Sequence, residues 1–203
     1  MNIEEVISKI QGVVPQPIDD DLRFSVLIPI IEVNGELNLI YEVRSKSIRQ
    51  PGEISFPGGK IENDESPEYA AIRETSEELG ISQENIEILS ELDYASSKSG
   101  SFVYTFVGRI NNTDFNNIRF NKDEVSSIFL VPLSYFLENE PEKYYMNYYP
   151  KADSDFPYHM VNDGKDYNWG SIRYPVYFYK YKDYIIWGLT AKITYSLIKK
   201  LIK

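Results

Sequence analysis

Residues 59–81 read GKIENDESPEYAAIRETSEELGI, and the fold turns on why Glu74, Glu77 and Glu78 fall so close together within it. Ser66 can cap a helix here, Pro67 suits its first turn and Gly80 suits its end. Helical positions three and four apart share a face, so the three carboxylates are expected on one patch while Ala70, Ala71 and Leu79 pack elsewhere. Like charges gathered in this way repel unless a cation neutralises them, and carboxylate oxygens are the ligands that hard divalent ions prefer. The ordinary alternative is a solvated glutamate face in which Arg73 and Glu77 form an i,i+4 pair. Upstream, Pro57-Gly58-Gly59 leaves bare backbone, where a carbonyl could reach a metal and phosphate oxygens could approach the chain. Glycines before and carboxylates after describe a metal-phosphate site.

Working outward, the chain alternates strand-like and helical segments without repeats, so an α/β fold is expected. Residues 2–11 suggest a short amphipathic helix. Residues 24–33 (FSVLIPIIEV) suggest a buried strand, joined through Asn34-Gly35 to ELNLIYEV in a hairpin. Further strand-like runs lie at 86–92, 102–110 and 125–131. In 187–202, Leu189, Ile193, Leu197 and Leu201 recur at helical intervals and predict a packed C-terminal helix, with Gly188 expected to allow close packing at its start. Residues 140–176, rich in Tyr, Pro, Asp and Asn, show no clean period and are expected to be loops and short strands. The 203 residues suit one domain, comprising an N-terminal helix and lead-in over 1–22 and an irregular Tyr-rich elaboration over 140–176.

Composition excludes several functions. A net charge of -10 argues against partners that need a basic face, namely nucleic acid and anionic membrane. The absence of cysteine excludes disulfides, thiolate nucleophiles and cysteine-ligated zinc. His159, the single histidine, lies in DFPYHM without metal-ligand spacing and is expected to be packed or hydrogen-bonded. The N-terminus is acidic where a signal peptide is basic, and no apolar run approaches ~18 residues, so a cytoplasmic protein is expected. The aromatic residues of 144–187, including Trp169, could wall a ligand but are more often core.

The complete spacing of the opening stretch settles how its carboxylates are read. Gly59, five residues, Glu65, seven residues and then Arg73-Glu74-Thr75-Ser76-Glu77-Glu78-Leu79-Gly80-Ile81 resembles the Nudix box, with Thr75 at a usually apolar place. Seven specified residues at set intervals arise by chance on the order of 10⁻⁹ per starting position, which outweighs the solvated-face alternative. The resemblance implies a Nudix α/β/α sandwich with a central mixed sheet, hydrolysing a nucleoside diphosphate derivative with Mg²⁺ or Mn²⁺. It places metal ligands at Glu74, Glu77, Glu78 and the Gly58 carbonyl, and supporting roles at Glu65 and Arg73. The general base is open among Glu77, Glu78 and Glu124, the last in KDEVSS.

Upstream, EVRSKSIRQPGEISFPGG resembles the accessory motif of the coenzyme A pyrophosphatase branch, with Arg44-Ser45, Arg49, Gly52 and Phe56-Pro57-Gly58-Gly59 in the matching places. The gap between Arg49 and Gly52 holds two residues where the usual pattern has three. The segments at 100–108, 123–137 and 185–193 also look like that branch. Arg44, Lys46 and Arg49 put positive charge beside the site, so Arg44, Arg49 and Gly59 are expected to contact substrate. The implied activity is hydrolysis of the pyrophosphate bond of coenzyme A or acyl-CoA to 3′-phosphoadenosine 5′-phosphate and (acyl-)4′-phosphopantetheine. The alternatives are a Nudix enzyme for ADP-ribose, NADH or a nucleoside triphosphate, and a non-catalytic nucleotide-binding module. The partner is a small molecule, and the oligomeric state is left open, a homodimer included.

Overall fold

The computed structural model describes residues 2–13, 23–96 and 101–202. The expectations for residues 14–22 and for Gly100 therefore lie outside the described residues. Helix α1 (Ile3–Ile10) opens the chain with a capping box between Asn2 and Glu5. Its apolar residues Ile3, Ile7 and Ile10 all remain exposed. Strand β1 (Arg23–Val33) turns through Asn34 and Gly35, both at positive φ, into β2 (Glu36–Arg44), which is the expected hairpin. Two short strands, β3 (Ile54–Ser55) and β4 (Gly58–Lys60), lead to α2 (Pro67–Leu79). Strands β5 (Ile86–Glu91), β6 (Ala95–Ser96), β7 (Phe102–Ile110) and β8 (Val125–Pro132) follow, then α3 (Leu133–Glu138).

These strands make one mixed sheet. Its main path runs β3-β2-β1-β7-β5, with β4 added to β1, β6 to β7 and β8 to β2. The β1–β7 pair is parallel and the others are antiparallel. The pleat sends alternate residues to opposite faces. Leu27, Ile31, Ile40, Phe106 and Ile110 pack with Ala71, Leu79 and Ile81 of the α2 side. Ile28, Leu39, Tyr41, Val107 and Phe129 pack on the other face.

That second face is covered by a segment the sequence leaves unresolved. Strands β9 (Glu142–Tyr148), β10 (Ile172–Tyr181) and β11 (Tyr184–Trp187) form a separate antiparallel sheet ordered β11-β10-β9, followed by α4 (Gly188–Leu201). Residues 140–176, expected as loops and short strands, hold the seven-residue β9, the turns Tyr158–Met160 and Gly164–Asp166, and the start of β10. β9 shows no alternation because six of its seven residues are exposed, so the sequence carries no inside-outside contrast to read. Tyr179 and Ile186 enter the core with Ala191, Ile193, Leu197 and Ile198, and the Tyr184 ring stacks on Phe129 at 3.7 Å. In α4 the buried stripe is Ala191, Ile193, Thr194, Leu197 and Ile198, whereas Leu201 is exposed. Gly188 is not a close-packing residue: a Cβ there would meet nothing, and its need for glycine comes from a φ of +66°.

Candidate metal-phosphate site

Helix α2 is set locally as its residues dictate. Ser66 Oγ accepts the Tyr69 amide at 3.1 Å, Pro67 stands in the first turn, and Gly80 ends the helix in the left-handed region at φ +64°. A side chain on Gly80 would also collide with the Arg119 carbonyl. The buried face holds Ala70, Ala71, Thr75, Leu79 and, among them, Glu78. Thr75 sits there because its hydroxyl donates to the Ala71 carbonyl at 2.7 Å, which lets a polar side chain occupy an apolar place.

The three glutamates differ in exposure, which departs from the ordinary solvated glutamate face. The Glu77 side chain is 55% exposed and that of Glu74 16%, while Glu78 is 5% exposed. Arg73 relieves the first two. Its Nη1 donates to Glu74 at 2.8 Å and to Glu77 at 3.2 Å, and its Nε and Nη2 grip Glu65 at 2.7 and 3.1 Å. Nη2 also reaches the Lys60 carbonyl, and Glu65 accepts the Glu62 amide, so the pair fastens the loop to the helix. The guanidinium beside Glu65 holds that carboxyl below the usual range.

Glu78 is fixed from the glycine side. The Gly58 amide donates to its Oε2 at 2.8 Å, and both glycines lie in β4 against β1, where Gly58 pairs with Val26 and Gly59 with Ser25. A Cβ on Gly58 would strike the Ser25 carbonyl and Val26, and one on Gly59 would occupy the place of the Glu74 carboxylate. The bare backbone is therefore filled by a carboxylate, a cradle suited to oxygen ligands. Burial pushes Glu78 up to about 9, with the Glu42 carboxylate the next cause, and burial likewise raises Glu74 against the pull of Arg73.

Glu42 is the residue that sequence reasoning missed. It lies on β2 on the α2 side of the sheet, two residues beyond the core residue Ile40, and is 1% exposed. Its Oε1 accepts the Ser55 hydroxyl at 2.8 Å. Burial pushes it up to about 7, and the charges that act on it are Arg44, Glu124 and Glu74. The readable signal was an acidic residue inside the buried run LIYEV. Glu124 stands just before β8, where its carbonyl accepts the Ser45 amide at 2.8 Å, and its charge is felt at Glu42, Glu74 and Glu78.

Arg44 Nε donates to the Arg49 carbonyl at 2.9 Å, and the Arg44 backbone pairs with Gly52 and Glu53, so this arginine closes the loop. Arg49 is exposed. The two-residue gap closes through left-handed Gln50 (φ 57°) and Gly52 (φ 78°). His159, in the turn Tyr158–Met160, is exposed rather than packed. Trp169 packs edge-on against Phe156 and Tyr167. Among the described residues no three acidic side chains converge on one ion-sized point, because Glu74 and Glu77 turn to Arg73 and Glu78 to Gly58. The donor set is all oxygen, which fits Mg²⁺ or Mn²⁺ rather than a softer metal.

The NUDIX domain profile matches residues 21–149. The chain belongs to the Nudix family. Among curated Nudix relatives, the peroxisomal coenzyme A diphosphatase NUDT7 of Mus musculus is 32% identical over 179 residues, 84% of this chain and 66% of that protein. The mitochondrial coenzyme A diphosphatase NUDT8 of Homo sapiens is 28% identical over 173 residues, 84% of this chain and 65% of that protein. This chain thus spans slightly less than two thirds of either named diphosphatase. A Nudix hydrolase named NudL of Photorhabdus laumondii is 29% identical over 206 residues, 98% of each chain. A MutT/nudix protein of Enterococcus faecalis superposes with a TM-score of 0.51 at 15% identity, covering 100% of this chain and 71% of that one, and agrees on the Nudix fold. No helix among the described residues is long and apolar enough to cross a membrane.

Proposed function

We propose that the protein hydrolyses the pyrophosphate bond of coenzyme A or acyl-CoA, releasing 3′-phosphoadenosine 5′-phosphate and (acyl-)4′-phosphopantetheine. The observation that carries this reading is the continuity of the Arg44–Gly59 segment with the carboxylate helix: the branch-specific motif closes its loop through Arg44 and runs directly into Gly58, whose amide holds Glu78. Glu74, Glu77, Glu78 and the Gly58 carbonyl would hold Mg²⁺ or Mn²⁺. That ion, when bound, neutralises pyrophosphate oxygens and acidifies a water.

The remaining work falls to the chain. Arg73 and Glu65 orient α2 against the glycine loop. Glu77 and Glu78 are each engaged, by Arg73 and by Gly58, whereas Glu124 makes no side-chain hydrogen bond among the described residues. We therefore assign proton removal from the attacking water to Glu124. Arg49, exposed beside the loop, would grip an anionic group of the substrate. Residues 1–203 act as one domain in this reading, since the cluster of Ile28, Leu39 and Tyr41 is completed by Tyr179 and Ile186, and the cytoplasm remains the proposed compartment.

The test is the purified protein with Mg²⁺ and coenzyme A, dephospho-coenzyme A, ADP-ribose, NADH and 8-oxo-dGTP in ¹⁸O-water. The label should enter a phosphate of one coenzyme A product with both phosphoester links intact. Release of inorganic phosphate from the 3′ position would overturn the mechanism, and cleavage of ADP-ribose or the triphosphate alone would overturn the substrate.

A further inference from the structure

Glu42 holds one carboxylate oxygen whose chemistry is unfinished. Its Oε1 is occupied by Ser55, but Oε2 is fully buried with no hydrogen-bond partner, the only carboxylate oxygen in that condition among the described residues. Neither protonation state resolves the matter, because a bare oxygen there lacks a donor and a protonated one lacks an acceptor. The carboxylate lies on the α2 side of the sheet, within electrostatic reach of Glu74, Glu78 and Glu124. Among the charges that act on Glu42, only Arg44 is positive, and its Nε is committed to the Arg49 carbonyl.

We propose that Glu42 is a further ligand of the divalent-cation site, contributing Oε2 from the sheet opposite the carboxylates of α2. The inference rests on the reading that α2 holds such an ion. An ion entering the site must compete with Arg73 for Glu74 and with the Gly58 amide for Glu78. At Glu42 it breaks no existing bond. Ser55 fixes the other oxygen and so aims the carboxylate, and β2, hydrogen-bonded to β1, β3 and β8, holds it rigidly.

The test measures Mn²⁺ binding to the substrate-free protein by the electron paramagnetic resonance signal of free Mn²⁺, for native protein, Glu42→Gln and Glu78→Gln. Glu42→Gln should lower Mn²⁺ affinity by about 10-fold or more, the usual effect of disturbing a carboxylate of a metal site. Tb³⁺ luminescence lifetimes in H₂O and D₂O then separate contact from field. A lost ligand admits about one more water to the bound ion, whereas loss of a distant charge leaves the hydration number unchanged. Circular dichroism melting verifies the fold. If Glu42→Gln does not fold, Glu42→Thr, whose β-branched side chain suits a strand, replaces it in the same measurements. Affinity within twofold of native in a folded Glu42 variant, or an unchanged hydration number, overturns the proposal. If Glu78→Gln loses Mn²⁺ while the Glu42 variant does not, this inference alone falls. If neither variant changes binding, the metal-helix reading falls with it.

Discussion

Gly58 and Gly59 are neighbours, and both lack room for a side chain, but different things crowd them. A Cβ on Gly58 meets backbone of β1, which cannot move without tearing the β1–β4 pairing. One on Gly59 meets only the end of the Glu74 side chain, which can swing away. Gly58→Ala should therefore cost several kcal/mol of stability, about 2–4 by analogy with overpacking and lost pairing. Gly59→Ala should melt within a few degrees of native yet lose about 10-fold or more in rate, since it displaces a carboxylate. Equal melting losses in the two variants would contradict this division. Arg73→Lys should act similarly through geometry: one ammonium cannot replace the fork that spans Glu65, Glu74 and Glu77, so metal affinity should fall although the charge is kept. Most of these residues were legible because helical spacing and glycine carry their meaning locally. Glu42 was not, since its carboxylate gains its company only when β2, Ser55 and α2 meet in space.

At the scale of elements, α2 keeps its site aligned through its two ends. Replacing the cap in Ser66→Ala should remove about 1 kcal/mol from chemical-denaturation stability while leaving kcat near native, because the cap is a full helix length from Glu78. Gly80→Ala should cost more, since it adds a clash with the Arg119 carbonyl to an unfavourable φ. A Ser66→Ala variant with unchanged stability would show the Tyr69 hydrogen bond to be idle. The helix α2, the β1–β2 hairpin and β7 were legible in the residues, each having a cap, a turn dipeptide or a buried run. β9 stayed hidden for the opposite reason. As an exposed edge strand it should also open readily, and its amides should exchange with deuterium well before those of β1, which is paired on both sides. Slower exchange in β9 than in β1 would refute this order.

The whole molecule, when stripped of divalent ions, carries the cost of Glu42 and Glu78 as a dependence on pH. Both bind a proton more readily folded than unfolded, being pushed up to about 7 and about 9 by burial. Their stabilising effect is thus full below the ordinary carboxylate range and is lost as pH rises through those values. Glu65, held low by Arg73, runs the other way, and its contribution is lost only in acid. In chelator the melting temperature should fall from mildly acidic to alkaline pH, and Glu78→Gln should flatten the slope. A level profile in native protein would deny the buried pair. The core on the far side of the sheet has a separate meaning. The family profile ends at residue 149, yet Ile28, Leu39 and Tyr41 are roofed by Tyr179, Ile186 and α4, and the Tyr41 hydroxyl bonds Thr194 at 2.8 Å. A gene fragment cut at that boundary would encode a sheet with one greasy side open to water. It would partition into inclusion bodies however complete its carboxylate helix, and supplying residues 150–203 as a second polypeptide would be the way to bring it back into solution.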